Sequence, residues 1–157
     1  FIEWDFAKNH SVQIGQFLVP VGIMNETHEP DTFYGTERNV IEAEVIPATW
    51  WETGVMVLGE IAPGLKYNLA AHSGLNTDSF RIRSGRQKSA KATADDFAFT
   101  GRLKYTGIQG LELAGTLQYQ EDIAQGSVGG GTASALLTQA HAIVNVGDFA
   151  LRTLYAR

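Results

Sequence analysis

The sequence predicts an all-β protein: an antiparallel transmembrane β-barrel, of which about eight strands are present. Three observations predict it. Eight segments alternate apolar and polar residues with the period of two that a strand separating two environments requires. The connections between them alternate short and long, the rhythm of outer-membrane barrels, whose turns are short on one side and loops long on the other. Aromatic residues gather toward the ends of the apolar faces.

Phe1 to Phe6 sets Ile2, Trp4 and Phe6 against Glu3 and Asp5, and Lys8-Asn9-His10 is a turn. Ser11 to Val19 resumes an extended segment. After a long connection, Trp51, Thr53, Val55, Val57 and Ile61 share a face opposite Glu52, Met56 and Glu60, and Ala62-Pro63-Gly64 makes a tight turn. The next strand sets Leu65, Tyr67, Leu69 and Ala71 against Lys66, Asn68 and His72. Beyond a polar stretch from Leu75 to Asp95, Phe97, Phe99, Gly101, Leu103 and Tyr105 oppose Asp96, Thr100, Arg102 and Lys104.

Past Gly107 to Gly110, Leu111, Leu113, Gly115, Leu117 and Tyr119 oppose Glu112, Thr116, Gln118 and Gln120. A connection from Glu121 to about Ser134 contains Gly129-Gly130-Gly131. It leads to Ala140, Ala142, Val144 and Val146, opposed by Gln139, His141 and Asn145. Gly147-Asp148 suits a type II′ hairpin turn, and Phe149, Leu151, Thr153 and Tyr155 end the apolar face with Arg152 opposite. Phe97 to Tyr105 spans roughly 26 Å at about 3.3 Å per residue, so these aromatics match two interfacial girdles.

The connection from Val21 to Trp50 is the longest. Loops of that length are functional or disordered, and Phe33, Tyr34, Ile41, Val45, Ile46 and Trp50 argue for order. Thr36 is placed to cap a helix of about two turns, with Glu37 near its positive end. Arg38 and Glu42, four apart, are spaced to pair along it, and Pro47 stops it at Ile46. This segment, 21–50, is expected to fold inward within a single barrel domain covering 1–157.

An Arg or Lys facing lipid at mid-membrane costs about 2 to 4 kcal/mol, so Lys66, Arg102, Lys104 and Arg152 are expected to face a polar lumen. Arg38, Glu37, Glu42 and Glu44 from the loop are expected to stand at the constriction. Charge is unevenly spread within a net −5. Residues 21–50 carry six acids against Arg38, while Leu75 to Asp95 carries Arg81, Arg83, Arg86, Lys88 and Lys91 against two acids. The first four of those bases are read as an external basic loop. Acids and bases at such close quarters tune which ions pass.

Several functions are not supported. The four histidines are scattered without convergent ligands, so no metal site is expected. Gly126 to Thr132 lacks the Gly-Lys-Ser/Thr ending of a phosphate-binding loop and reads as a flexible external loop. No basic face suggests nucleic acid, and no nucleophile, base and orienting group come together for catalysis. No cofactor is expected. No apolar run approaches the about 18 residues of a membrane-spanning helix. Phe1 falls inside a strand pattern and Phe149 to Arg157 stops at one, so an internal piece of a longer polypeptide is expected.

Gly15-Gln16-Phe17-x-x-Pro20-x-Gly22, then Phe33 to Arg38 with its Glu37-Arg38 pair, then a strand opening near Gly54, resemble the phosphate-selective (O/P-type) porin family of Gram-negative outer membranes. The resemblance implies a sixteen-stranded homotrimeric barrel with a loop folded into the pore, of which these strands are about half. It implies passive passage of small hydrophilic solutes or ions, including anions such as phosphate. The lipid bilayer and lipopolysaccharide would be its surroundings. Members that take up phosphate line the entry with arginines and lysines, whereas the matching loop here is acidic. The alternative is a complete eight-stranded barrel serving as a structural or adhesion protein or as a ligand binder, since eight strands enclose only packed side chains or one small ligand.

Overall fold

The computed structural model describes residues 1–27, 37–77, 81–126 and 131–157. They form one antiparallel sheet of eight strands in chain order. These are β1 (Ile2–Ala7), β2 (His10–Leu18), β3 (Trp51–Ala62), β4 (Leu65–His72), β5 (Ala98–Tyr105), β6 (Leu111–Gln120), β7 (Ala135–Val146) and β8 (Phe149–Ala156). All eight expected segments are strands, and β7 begins at Ala135, at the end of the predicted connection. Among the described residues no ladder joins β1 to β8, so the sheet is open.

Register keeps each face uniform. Asn68 lies opposite Arg102, Arg102 opposite Thr116 and Thr116 opposite Gln139, so one polar row crosses four strands. Burial is inverted relative to a soluble sheet. The covered face is mostly polar: Gln13, Asn68, Thr100, Arg102, Thr116, Gln118, Gln139 and His141 are all buried, beside a small apolar cluster of Phe17, Met56 and Ala70. The open face is apolar, with Leu69, Phe99, Leu103, Leu117 and Leu136 each more than half exposed. Of the aromatics expected at the two girdles, Phe6, Phe97, Tyr119, Phe149 and Tyr155 are exposed, whereas Trp51, Tyr67 and Tyr105 are half-buried.

The long connection covers the polar face. Val19, Val21, Ile46 and Trp50 are fully buried and pack with Leu75 against Leu137, Leu154 and Ala156 on β7 and β8. Thr116 Oγ1 on β6 donates to the Pro20 carbonyl at 3.3 Å. The described ends of this connection, 19–27 and 37–50, thus pack on the inner face of the sheet.

Its helical part differs from expectation. Instead of two α-turns there is a five-residue π-helical turn, Ile41–Val45, closed by Ile46 N–H donating to the Ile41 carbonyl at 2.8 Å. Its N-cap residue, Val40, makes no side-chain hydrogen bond, but Asn39 Oδ1 accepts from the Glu42 amide at 3.0 Å. Ile46 is extended, with φ −96° and ψ 112°, where Pro47 disfavours helix. Thr36, His28, Phe33, Tyr34, Glu29, Asp31, Asp78 and the glycine-rich stretch at 127–130 lie outside the described residues.

Turns follow the chain's glycines and asparagine. Asn9 and Gly147 take φ of +63° and +58° in the turns before β2 and β8, and Gly64 takes +77° in the turn before β4. The Gly147 angle is what the first central position of a type II′ turn needs.

Glu52, the first inner-face residue of β3, is fully buried. One carboxylate oxygen accepts from Trp50 Nε1 and from the Gln87 amide, both at 3.0 Å, and the other from Ser73 Oγ at 2.8 Å. The amides of Lys88 and Ser89 lie 3.3 Å away, at residues with φ of +51° and +59°. One side chain thus fastens the β4–β5 connection to the root of the long loop. A buried donor left without a partner costs about 1–3 kcal/mol. Glu52→Ala should therefore lower stability by about 3 kcal/mol or more, and Glu52→Gln by less. Urea titration reads this directly, and equal midpoints for all three proteins would remove Glu52 from this role.

Candidate functional site

Between the root of the long loop and the inner faces of β2 to β6 lies a cleft of about 1290 Å³. Its charged lining comprises Glu26, Glu60, Lys66, Arg102, Lys104 and Glu112. Strand alternation turns Glu60, Lys66, Arg102, Lys104 and Glu112 inward, and the loop brings Glu26 to them.

Arg102 is the centre of the cluster. Its Nη1 and Nη2 donate to the two Glu26 oxygens at 2.7 and 2.9 Å, a forked pair that joins residues 76 apart. Nε and Nη2 also donate to Asn68 Oδ1, at 3.1 and 2.9 Å, which fixes the plane of the fork. The planar guanidinium suits this two-point recognition of a carboxylate, as a lysine ammonium does not. The Arg102 side chain is 5% exposed and that of Glu26 34%.

Lys104 Nζ stands 3.6 Å from the same Glu26 carboxylate. Lys66 lies directly across the ladder from Lys104, a like-charge pairing that sheets disfavour. Among the described residues no carboxylate pairs with Lys66. Glu60, its register partner on β3, accepts from the Gly64 amide at 2.8 Å instead. Glu112 meets His141 Nε2 at 3.0 Å, and His141 Nδ1 meets the Gln139 amide at 2.8 Å.

The expected site residues divide. Lys66, Arg102 and Lys104 line the cleft. Arg152 faces inward by register, opposite Ile143, but is exposed and outside the cleft lining. Glu37 and Glu44 are exposed and also outside it.

Glu42 is a correction. It is buried and does not pair with Arg38; one carboxylate oxygen accepts from the amides of Ile23 and Met24, both at 2.6 Å, and the other from Asn39 Nδ2 at 2.9 Å. Arg38 instead donates to the Ala48 carbonyl at 2.6 Å and to Thr49 Oγ1 at 2.8 Å.

The basic loop is the second correction. Arg83 and Arg86 are half-buried and turned against the long loop. Arg83 Nη1 donates to the carbonyls of Ala43 and Ala48 at 3.0 and 2.6 Å, and Arg86 Nη1 to those of Pro47 and Thr49 at 3.1 and 2.7 Å. Burial, then the charges of Arg83 and Arg38, press Arg86 below its ordinary value, with Glu52 acting against them. Lys88 places its ammonium 4.9 Å from the centre of the Trp51 ring. Arg81 is exposed, as expected of an outward loop.

Sequence reasoning counted Glu26 only as one of six loop acids. Its signal was complementary charge alone, a loop rich in acids facing a wall of bases.

Burial raises the Glu26 carboxyl, but the hydrogen bond and charge of Arg102, with Lys104, outweigh it and hold the group below its ordinary 4.5. A depressed acid stabilises the fold fully above its unfolded value and loses that contribution as pH falls through the folded one. The difference in unfolding midpoint between the native protein and Glu26→Gln should therefore be constant above 4.5 and shrink below it. A difference that grew on acidification would show that Arg102 does not hold Glu26 ionised.

No family model matches the sequence, and no solved structure matches it. Over 114 residues, 67% of this chain, it is 33% identical to an uncharacterized protein of Aquifex aeolicus (strain VF5). The chain spans about a quarter of that curated relative's length, 25%.

Proposed function

We propose that this chain is part of an outer-membrane porin, a passive diffusion channel for small hydrophilic solutes or ions. The eight strands make up about half of a sixteen-stranded transmembrane barrel, and residues 21–50 narrow its lumen. The observation that carries the reading is the inversion of the sheet, with buried arginine, glutamine and histidine on one face and exposed leucine and phenylalanine on the other. Water rewards the opposite arrangement, whereas hydrocarbon outside and a wet passage inside reward this one.

Two further features support it. A barrel of only eight strands needs a β1–β8 ladder, and none forms among the described residues. An open edge cannot face lipid, because its backbone groups would have no partner there; further strands meet that need. The charged cleft then becomes part of the passage, with ions or polar solutes as its occupants and no chemistry asked of it. Assembly as a homotrimer among bilayer lipid and lipopolysaccharide, and phosphate among the permeant anions, rest on the family resemblance.

The protein purified from native membranes should give stepwise conductance in planar bilayers. Leu117→Arg tests the membrane directly. Leu117 is 59% exposed at the middle of β6. In lipid an arginine there costs about 2–4 kcal/mol, so insertion into vesicles should fall at least tenfold. On a water-exposed surface such a change stays within about 0.5 kcal/mol. Unimpaired insertion, or no conductance from the native protein, would overturn the reading.

A further inference from the structure

The cleft balances three bases, Lys66, Arg102 and Lys104, against three acids, Glu26, Glu60 and Glu112. The acids are not equivalent. Glu112 is engaged by His141 on β7, and Glu60 on β3 by the Gly64 amide. Only Glu26 touches the bases, holding Arg102 by two hydrogen bonds and standing 3.6 Å from Lys104. It is also the only one of the three carried by the loop rather than by the wall.

We infer that Glu26 sets the charge preference of this passage: while ionised it cancels Arg102 and leaves cations and anions weakly distinguished, and once neutral it exposes a basic wall that favours anions. This rests on the channel reading. The geometry gives the reason. A forked pair at hydrogen-bond distance presents almost no field to a passing ion, whereas an unopposed Arg102 beside Lys104 and Lys66 presents three positive charges from two adjacent strands. At such short range, and with low-dielectric walls, that change acts directly on ion selectivity. Arg102 is also held by Asn68 on the adjacent strand, through contacts that do not involve Glu26 and so anchor the charge independently of it. The depressed Glu26 carboxyl confines the neutral state to acid conditions.

The test is the reversal potential of the native, full-length channel in a potassium chloride gradient, compared with three variants. Glu26→Gln should raise the chloride-to-potassium permeability ratio severalfold at neutral pH. Glu26→Gln with Arg102→Gln removes both members of the pair and should return the ratio to the native one; it also separates loss of charge from disturbance of the loop. Asp148→Asn, in the turn before β8, should change nothing. As the pH falls below the ordinary glutamate value of 4.5, the native channel should converge on Glu26→Gln. A conducting native channel whose ratio is unmoved by Glu26→Gln, or moved as much by Asp148→Asn, overturns the inference and leaves the channel standing. Absence of conductance in the native protein overturns both.

Discussion

Chain folded against the polar side of a sheet carries backbone amides and carbonyls that no strand ladder can satisfy, and the architecture depends on how those groups are paired. Buried backbone groups are almost always hydrogen-bonded. Here long charged side chains do it. Arg38, Arg83 and Arg86 saturate the carbonyls of Ala43, Pro47, Ala48 and Thr49. Glu42 takes the amides of Ile23 and Met24, and Glu52 takes that of Gln87. The loop stays folded inward because its polar backbone is met there as well as water would meet it, while Val19, Val21, Ile46 and Trp50 gain burial.

The same logic continues between the remaining long connections. Gln120 exchanges hydrogen bonds with the Leu75 amide and carbonyl, both at 2.8 Å. Gln87 and Gln125 donate to the Ser73 carbonyl at 2.9 and 3.1 Å. Asp122, at the loop after β6, gathers the amides of Gly126, Ala133 and Ala124, which hold its carboxyl below the ordinary range. Polar side chains thus tie distant segments to one another, alongside the apolar cluster around Trp50.

Much of the fold was legible because a strand with unlike surroundings must alternate, and that alternation is local. The inner placement of Lys66, Asn68, Arg102 and Lys104 followed from it, and register carried the rows across the sheet. What was not legible depends on backbone partners or on distance. The destination of Arg83 and Arg86 is a set of carbonyl oxygens, which every residue possesses and no side-chain pattern reveals. Arg38 and Glu42 had helical spacing, but Glu42 found stronger company in two amides, and a π-turn replaced the α-helix that the spacing required. Glu26 reaches Arg102 only because the whole chain between them folds as it does.

The two kinds of attachment that hold the loop differ in how they answer the environment. Guanidinium forks on carbonyl oxygens keep their charge across any pH a cell meets, and buried geometry shields them from salt more than surface pairs are shielded. The Glu26 carboxylate can lose its charge. The frame of the loop and the charge at its edge are therefore governed separately, so acid can unpair Glu26 from Arg102 while the guanidinium contacts to the loop carbonyls persist.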